Sequence, residues 1–142
     1  MKTIRTMLLT VALVTLASAA FAAGTATLTI NANVLGTCDF SAAGATMDFL
    51  NIDPTAVVDA TASTTIDYSC TSGVVYTFTN PANTSITNGT DTMAVDLVYS
   101  TAGGTGTGVA ETLTIDGTIT VANFTGVTAG AYTGTATLNI NP

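Results

Sequence analysis

Apolar and polar residues alternate along most of this chain. In "TATLTINANV" (25–34) the even positions Ala26, Leu28, Ile30, Ala32 and Val34 are apolar, and Thr25, Thr27, Thr29, Asn31 and Asn33 are polar. A side-chain period of two puts the two sets on opposite faces of a strand with one dry side. The period returns in "ATMDFLNI" (45–52), which stops at Asp53-Pro54, and in "STTIDYSC" (63–70), where Thr64, Ile66, Tyr68 and Cys70 oppose Thr65, Asp67 and Ser69. It continues through "VVYTFTN", with Val74, Tyr76 and Phe78 on one face, and "TMAVDLVYS", with Met93, Val95, Leu97 and Tyr99 together and Asp96 opposite. "ETLTIDGTITV" (111–121) and the closing "AYTGTATLNI" (131–140), where Tyr132, Ala136, Leu138 and Ile140 share a parity, complete the set.

Between these runs stand turn signals: "TSG" after Cys70, a loop with Pro81, Asn88-Gly89 and the glycine-rich "AGGTGTG" (102–108). No run carries a helical period. Short strands rich in Thr and Val, punctuated by glycine, predict an all-β, antiparallel β-sandwich. Nothing repeats at a fixed long period and no linker divides the chain, so one domain is expected.

The first residues depart from this pattern. Lys2 and Arg5 precede the apolar run "MLLTVALVTLA" (7–17), and Ala20-Phe21-Ala22 supplies an A-x-A cleavage site. Residues 1–22 therefore read as a secretory signal, not as a retained membrane helix, because small residues and no charged flank follow the run. Cleavage leaves about 120 residues, enough for one domain with a core.

Loss of the signal removes Lys2 and Arg5, the only two basic side chains, and leaves nine carboxylates with no His. Nucleic acid is not an expected partner, since phosphate binding needs Lys or Arg to displace counterions. No membrane association is expected after cleavage. Cys38 and Cys70 form an even pair in an exported chain and read as a disulfide, worth about 3–4 kcal/mol in the chain-entropy view. A reactive thiol would need a nearby cation or imidazole to lower its pKa, and the mature chain has neither.

The same inventory bears on catalysis. Without His or Lys there is no Ser-His-Asp triad, Cys-His dyad, Schiff base or imidazole metal site. The carboxylate pairs Asp48 with Asp53 and Asp67 with Asp96 are the remaining candidates for acid–base work or calcium, but an Asp on the wet face of a strand is ordinarily only solvated. "GGTGTG" lacks the following helix and the Lys of a phosphate loop. No enzyme activity, cofactor or metal is expected. The Asn-x-Ser/Thr triplets at Asn83, Asn88 and Asn123 are common in so Thr- and Asn-rich a chain.

The segments "ANVLGTCDF", "MDFLNIDP", "TIDYSCTSG", "ETLTIDGTI" and "TAGAYTGTATLNI" together resemble the spore coat protein U domain family, which includes pilus subunits of archaic chaperone–usher systems. The resemblance spans the mature chain; the absence of basic residues and the short glycine-rich region after Tyr99 depart from it. It implies an incomplete immunoglobulin-like antiparallel β-sandwich, completed by a donor strand from a neighbouring subunit, a form of β-augmentation. On that reading residues 23–36 are a donor extension, residues 37–142 are the pilin domain, and Ala26, Leu28, Ile30, Ala32 and Val34 are the donor plugs. The implied partners are identical subunits in a head-to-tail filament, with a periplasmic chaperone and an outer-membrane usher during assembly, and the implied location is the cell surface.

The sequence fits this independently: the last strand ends at Ile140, and a matching strand precedes Cys38. Sortase-assembled pilins need a Lys nucleophile, and type IV pilins are cleaved ahead of their apolar helix. The competing expectation is a self-contained secreted sandwich, a carbohydrate-binding or coat module, with 25–34 as its own first strand. Because the mature chain lacks Lys and Arg, trypsin should leave it uncut. Intact-mass spectrometry after digestion should show one species starting at Ala23; internal cuts or a longer amino terminus contradict the cleavage site.

Overall fold

The computed structural model describes residues 24–142. The signal reading of 1–22 lies outside the described residues. The chain divides into two compact units, Met1–Ala32 and Asn33–Pro142. In the described part of the first unit, residues 24–32 carry no helix or strand, and Leu28 and Ile30 are each 81% exposed.

The second unit is all-β. Its strands are β1 (Cys38–Phe40), β2 (Ala60–Cys70), β3 (Val75–Phe78), β4 (Asn83–Thr87), β5 (Thr92–Tyr99), β6 (Gly103–Thr105), β7 (Ala110–Ile119) and β8 (Ile140–Asn141). A larger sheet has the order β1-β2-β7-β5-β4 and a smaller one the order β6-β3-β8, with every pair antiparallel. The β2–β7 ladder is the spine. It runs from Ala60 opposite Ile119 to Ser69 opposite Ala110, and β-branched residues suit such a pleated, half-buried surface.

Alternation places the core as the sequence pattern predicts. Ile66, Tyr68 and Cys70 of β2 are buried while Thr65, Asp67 and Ser69 are exposed; Met93, Val95 and Leu97 of β5 and Leu113, Ile115 and Ile119 of β7 join them. Gly117 sits among these inward positions because a Cβ there would strike the Met47 sulfur and lie 2.9 Å from the Phe49 ring. The missing side chain lets residues 47–49 cross over the sheet. Asn88-Gly89 makes the β4–β5 turn, with Gly89 at φ 90°. Cys38 and Cys70 stand directly opposite each other on β1 and β2 and form the disulfide.

Three expectations are corrected. A short helix, α1 (Val121–Phe124), follows β7, where the chain was expected to continue as strand. Four residues are too few to show a helical period. Asp59 accepts from the Val121 amide at 2.8 Å, and Phe124, 1% exposed, plugs the core beneath it. Residues 45–52 are not a strand, although Met47 and Phe49 are half-buried as alternation requires; Ile52, also half-buried, breaks that parity. The closing strand shrinks to β8, with one isolated bridge between Thr87 and Thr133 upstream. In both segments the pattern holds in part, at Met47, Phe49, Tyr132, Leu138 and Ile140, without a continuous ladder partner among the described residues.

The two sheets meet in an aromatic cluster. Tyr68 of the larger sheet lies 5.5 Å from Tyr76 and 5.0 Å from Phe78 of the smaller, edge to face. The Tyr68 and Tyr76 hydroxyls bond at 2.7 Å, and Tyr76 donates onward to Glu111 at 3.1 Å. Burial first, then the bonds to Tyr76 and Glu111, raise the Tyr68 pKa above its ordinary value of 10.0. A folded-state pKa raised in this way contributes stability that is complete below pH 10 and is lost as pH rises beyond it, where the unfolded phenol ionises and the folded one does not. Alkaline denaturation should therefore steepen above pH 10, and Tyr68→Phe should flatten that limb. An unchanged limb in the variant contradicts the assignment.

Candidate functional site

The concave face of the larger sheet floors a cleft of about 1160 Å³. Ile66, Met93, Val95, Leu97, Ile115 and Phe124 reach it from β2, β5, β7 and α1. All but Phe124 of α1 are inward residues of the alternating strands, so most of the apolar floor follows from the strand period. Residues 42–52 form one wall and residues 127–138 the other. The volume exceeds the ~300–1,000 Å³ usual for small-molecule sites. The core beneath it holds no buried polar or charged residue among the described residues, and the polar side chains of the lining, such as Thr84, Tyr99 and Tyr132, stand around the apolar floor.

Both walls are strand-like segments with unused main chain. From Ala42 to Phe49 no main-chain hydrogen bond is made among the described residues; the nearest are the Ser41 amide to the Asp67 carbonyl, 2.8 Å, and the Leu50 amide to the Asp48 carboxylate, 2.8 Å. Leu50 is exposed at the rim with φ 55°, in the left-handed region that a leucine seldom occupies. On the opposite wall the bonds are one-sided. Thr133 exchanges two with Thr87 at 2.9 and 3.0 Å, the Thr135 carbonyl accepts from the Thr84 hydroxyl at 2.9 Å, and Asn139 pairs with Thr79 and Asn80. The alternate residues Gly134, Ala136 and Leu138 have no main-chain partner among the described residues. In a strand, alternate residues aim their N–H and C=O groups to opposite sides, so these three aim away from β4. Beyond β8 the smaller sheet has no further strand among the described residues.

The far wall is tied down at one end by Asp91. Its carboxylate accepts from the Thr128 amide at 2.7 Å, and Tyr132 donates to the Thr128 carbonyl at 2.8 Å. Hydrogen bonding from the Thr128 side chain, then from its amide, holds the Asp91 pKa below its ordinary 3.8. The Tyr132 phenol is raised, by desolvation first and then by the Asp91 charge. Nothing in the alternation pattern marks Asp91, which sits in a turn; its Asn-Gly-Thr-Asp setting shows only the turn itself.

The sequence candidates fall as follows. Ala26, Leu28, Ile30, Ala32 and Val34 are all exposed and outside regular secondary structure. Asp48 and Asp53 each close a local turn, onto Leu50 and onto Thr55. Asp67 faces Thr112 and Asp96 faces Thr118 across β7, so the two carboxylates stand six positions apart along that strand, ~20 Å at its rise per residue. The structure does not bring them together. No group of three or more potential metal-ligating side chains occurs among the described residues.

No protein-family model matches the chain, and no curated protein matches its sequence. The disulfide is consistent with an oxidising, exported compartment, and no helix among the described residues is long and apolar enough to cross a membrane. The Asp91 tie gives a pH test. A lowered folded pKa contributes stability present above pH 3.8 and lost as pH falls through the folded value. The Thr128 amide proton resonance should shift on acidification with a midpoint below 3.8, and Asp91→Asn should abolish that titration; a midpoint at or above 3.8 contradicts the bond.

Proposed function

We propose that the chain is a structural subunit of an extracellular pilus, polymerised by donor-strand exchange. The observation that carries this reading is the apolar-floored cleft bordered on one side by main chain, 42–49, and on the other by the alternate residues Gly134, Ala136 and Leu138, none of them with a main-chain partner among the described residues. A cleft floored by aliphatic side chains and edged by free N–H and C=O groups suits one kind of occupant, an extended peptide with one apolar face. Such a strand would continue the smaller sheet past β8 and join it to residues 42–49, completing an immunoglobulin-like sandwich.

The segment 26–34 has the required character: apolar residues at every second position, exposed, with no strand partner among the described residues. Burying Leu28, Ile30 and Val34 contributes ~1.5–3 kcal/mol each, with less from Ala26 and Ala32. Main-chain pairing adds about 1 kcal/mol per bond. A head-to-tail bond of this kind propagates as an open fibre. The resemblance to the spore coat protein U domain family supports the same reading. It adds the periplasmic chaperone and outer-membrane usher as assembly partners and a shaft role at the cell surface, in adhesion or biofilm, without enzymatic activity.

The test is substitution of the donor face. Leu28→Asp with Ile30→Asp should abolish filaments seen by electron microscopy of sheared material, while the domain still folds and keeps its Cys38–Cys70 bond. Filaments of normal length and abundance from that variant would exclude donor-strand exchange through this segment and favour a self-contained binding module.

A further inference from the structure

The two ends of the chain carry almost the same peptide. Residues 24–31 read "GTATLTIN" and residues 134–141 read "GTATLNIN", differing only at Thr29 and Asn139. The second copy lies in the far wall of the cleft and in β8, with Leu138 and Ile140 half-buried on the core. The first is the proposed donor. The two would be neighbours in the assembled fibre, so their likeness constrains how they pair.

We infer, resting on donor-strand exchange, that the donor from a second copy of this chain lies antiparallel to residues 132–140 with Leu28 directly opposite Leu138. Main-chain direction supports this register. Thr133 and Asn139 bond toward Thr87 and Thr79, so the even residues Gly134, Ala136 and Leu138 aim their N–H and C=O groups to the other side, where they have no main-chain partner among the described residues; opposite residues in an antiparallel pair exchange both bonds when both face the partner. Setting Leu28 against Leu138 sets Ile30 against Ala136 and Ala32 against Gly134, which uses all three. Side-chain size supports it as well. Antiparallel alignment pairs Ala26 with Ile140 and Ile30 with Ala136 on either side of the leucines, so large meets small in each row. Parallel alignment in register would pair Ile30 with Ile140 and Ala26 with Ala136, leaving one row crowded and another void. Gly134 lies so close to β4 that a Cβ would strike the Ser85 carbonyl and sit 3.0 Å from Ile86, and it receives the small Ala32.

The register also fixes how successive copies meet. It brings Val34 to Tyr132, near the Thr87–Thr133 bridge and therefore at the β4–β5 turn end of the accepting domain. Thr37 is held in its own domain by Thr71, the Thr71 amide donating to its carbonyl at 2.9 Å. Only Leu35 and Gly36 lie between, and three peptide steps span at most ~11 Å. The accepting end is also where the segment leading into Ala60 runs, which exposes Val57 and Val58, so exposed Leu35 of one copy is delivered beside apolar surface of the next.

Thiol cross-linking tests the register. Thr29 and Thr137 would be opposite residues of a non-hydrogen-bonded pair, with Cα atoms ~4.5 Å apart, inside the ~4.4–6.8 Å that a disulfide accepts. Filaments of the Thr29→Cys, Thr137→Cys variant should give a covalent ladder on non-reducing gels, about tenfold stronger than Thr29→Cys with Thr135→Cys or Asn139→Cys. Filaments that form but link best through Thr135→Cys or Asn139→Cys overturn the register or direction and leave donor-strand exchange standing. A dominant link between Thr29→Cys and Thr79→Cys also overturns the register, because the donor would then have displaced its near-copy from beside β3. If the unmodified chain forms no filament, donor-strand exchange itself fails, and the register with it.

Discussion

Polar main chain beside an apolar surface must find a partner, and this domain leaves two such borders open. Residues 42–49 and the alternate positions Gly134, Ala136 and Leu138 flank a floor of Ile66, Val95, Leu97 and Ile115, with no hydrogen bond between the walls among the described residues. Water can pair the amides, but it cannot cover the aliphatic floor without the full cost of hydrating apolar area. A strand answers both demands at once. The proposed function rests on that double requirement.

The rest of the domain holds the cleft in shape. The β2–β7 ladder gives the floor a rigid spine, and the disulfide fastens β1 to the end of β2, next to Thr71, which fixes Thr37. The Tyr68–Tyr76–Glu111 chain and the Phe40–Phe78 stack, whose Phe40 borders the cleft, join the two sheets. Asp91 and Asn80 tether the far wall at either end, at Thr128 and Asn139. The free wall is thus anchored by side chains where a neighbouring strand would otherwise anchor it.

The alternating pattern located β2, β3 and β5 and their buried faces, because each has a partner strand and one wet face. It misjudged 45–52 and 131–140 for an instructive reason. Periodicity reports which side chains face the core, and those do: Met47, Phe49, Leu138 and Ile140 are half-buried. It does not report whether a ladder partner exists within the same chain. Phe124 escaped notice because its helix is one turn long and its burial depends on Asp59, sixty-two residues away in sequence from the Val121 amide it accepts. The alternation of Ala26, Leu28, Ile30, Ala32 and Val34 was readable in the sequence, whereas the walls of the cleft needed coordinates.

The most direct measurement is a high-resolution density map of filaments sheared from cells. Donor-strand exchange places residues 26–34 of one subunit between residues 42–49 and 132–138 of the next, with Leu28 and Ile30 buried on the β2–β5–β7 floor. A map in which that segment packs within its own subunit, or in which the cleft holds no strand, contradicts it.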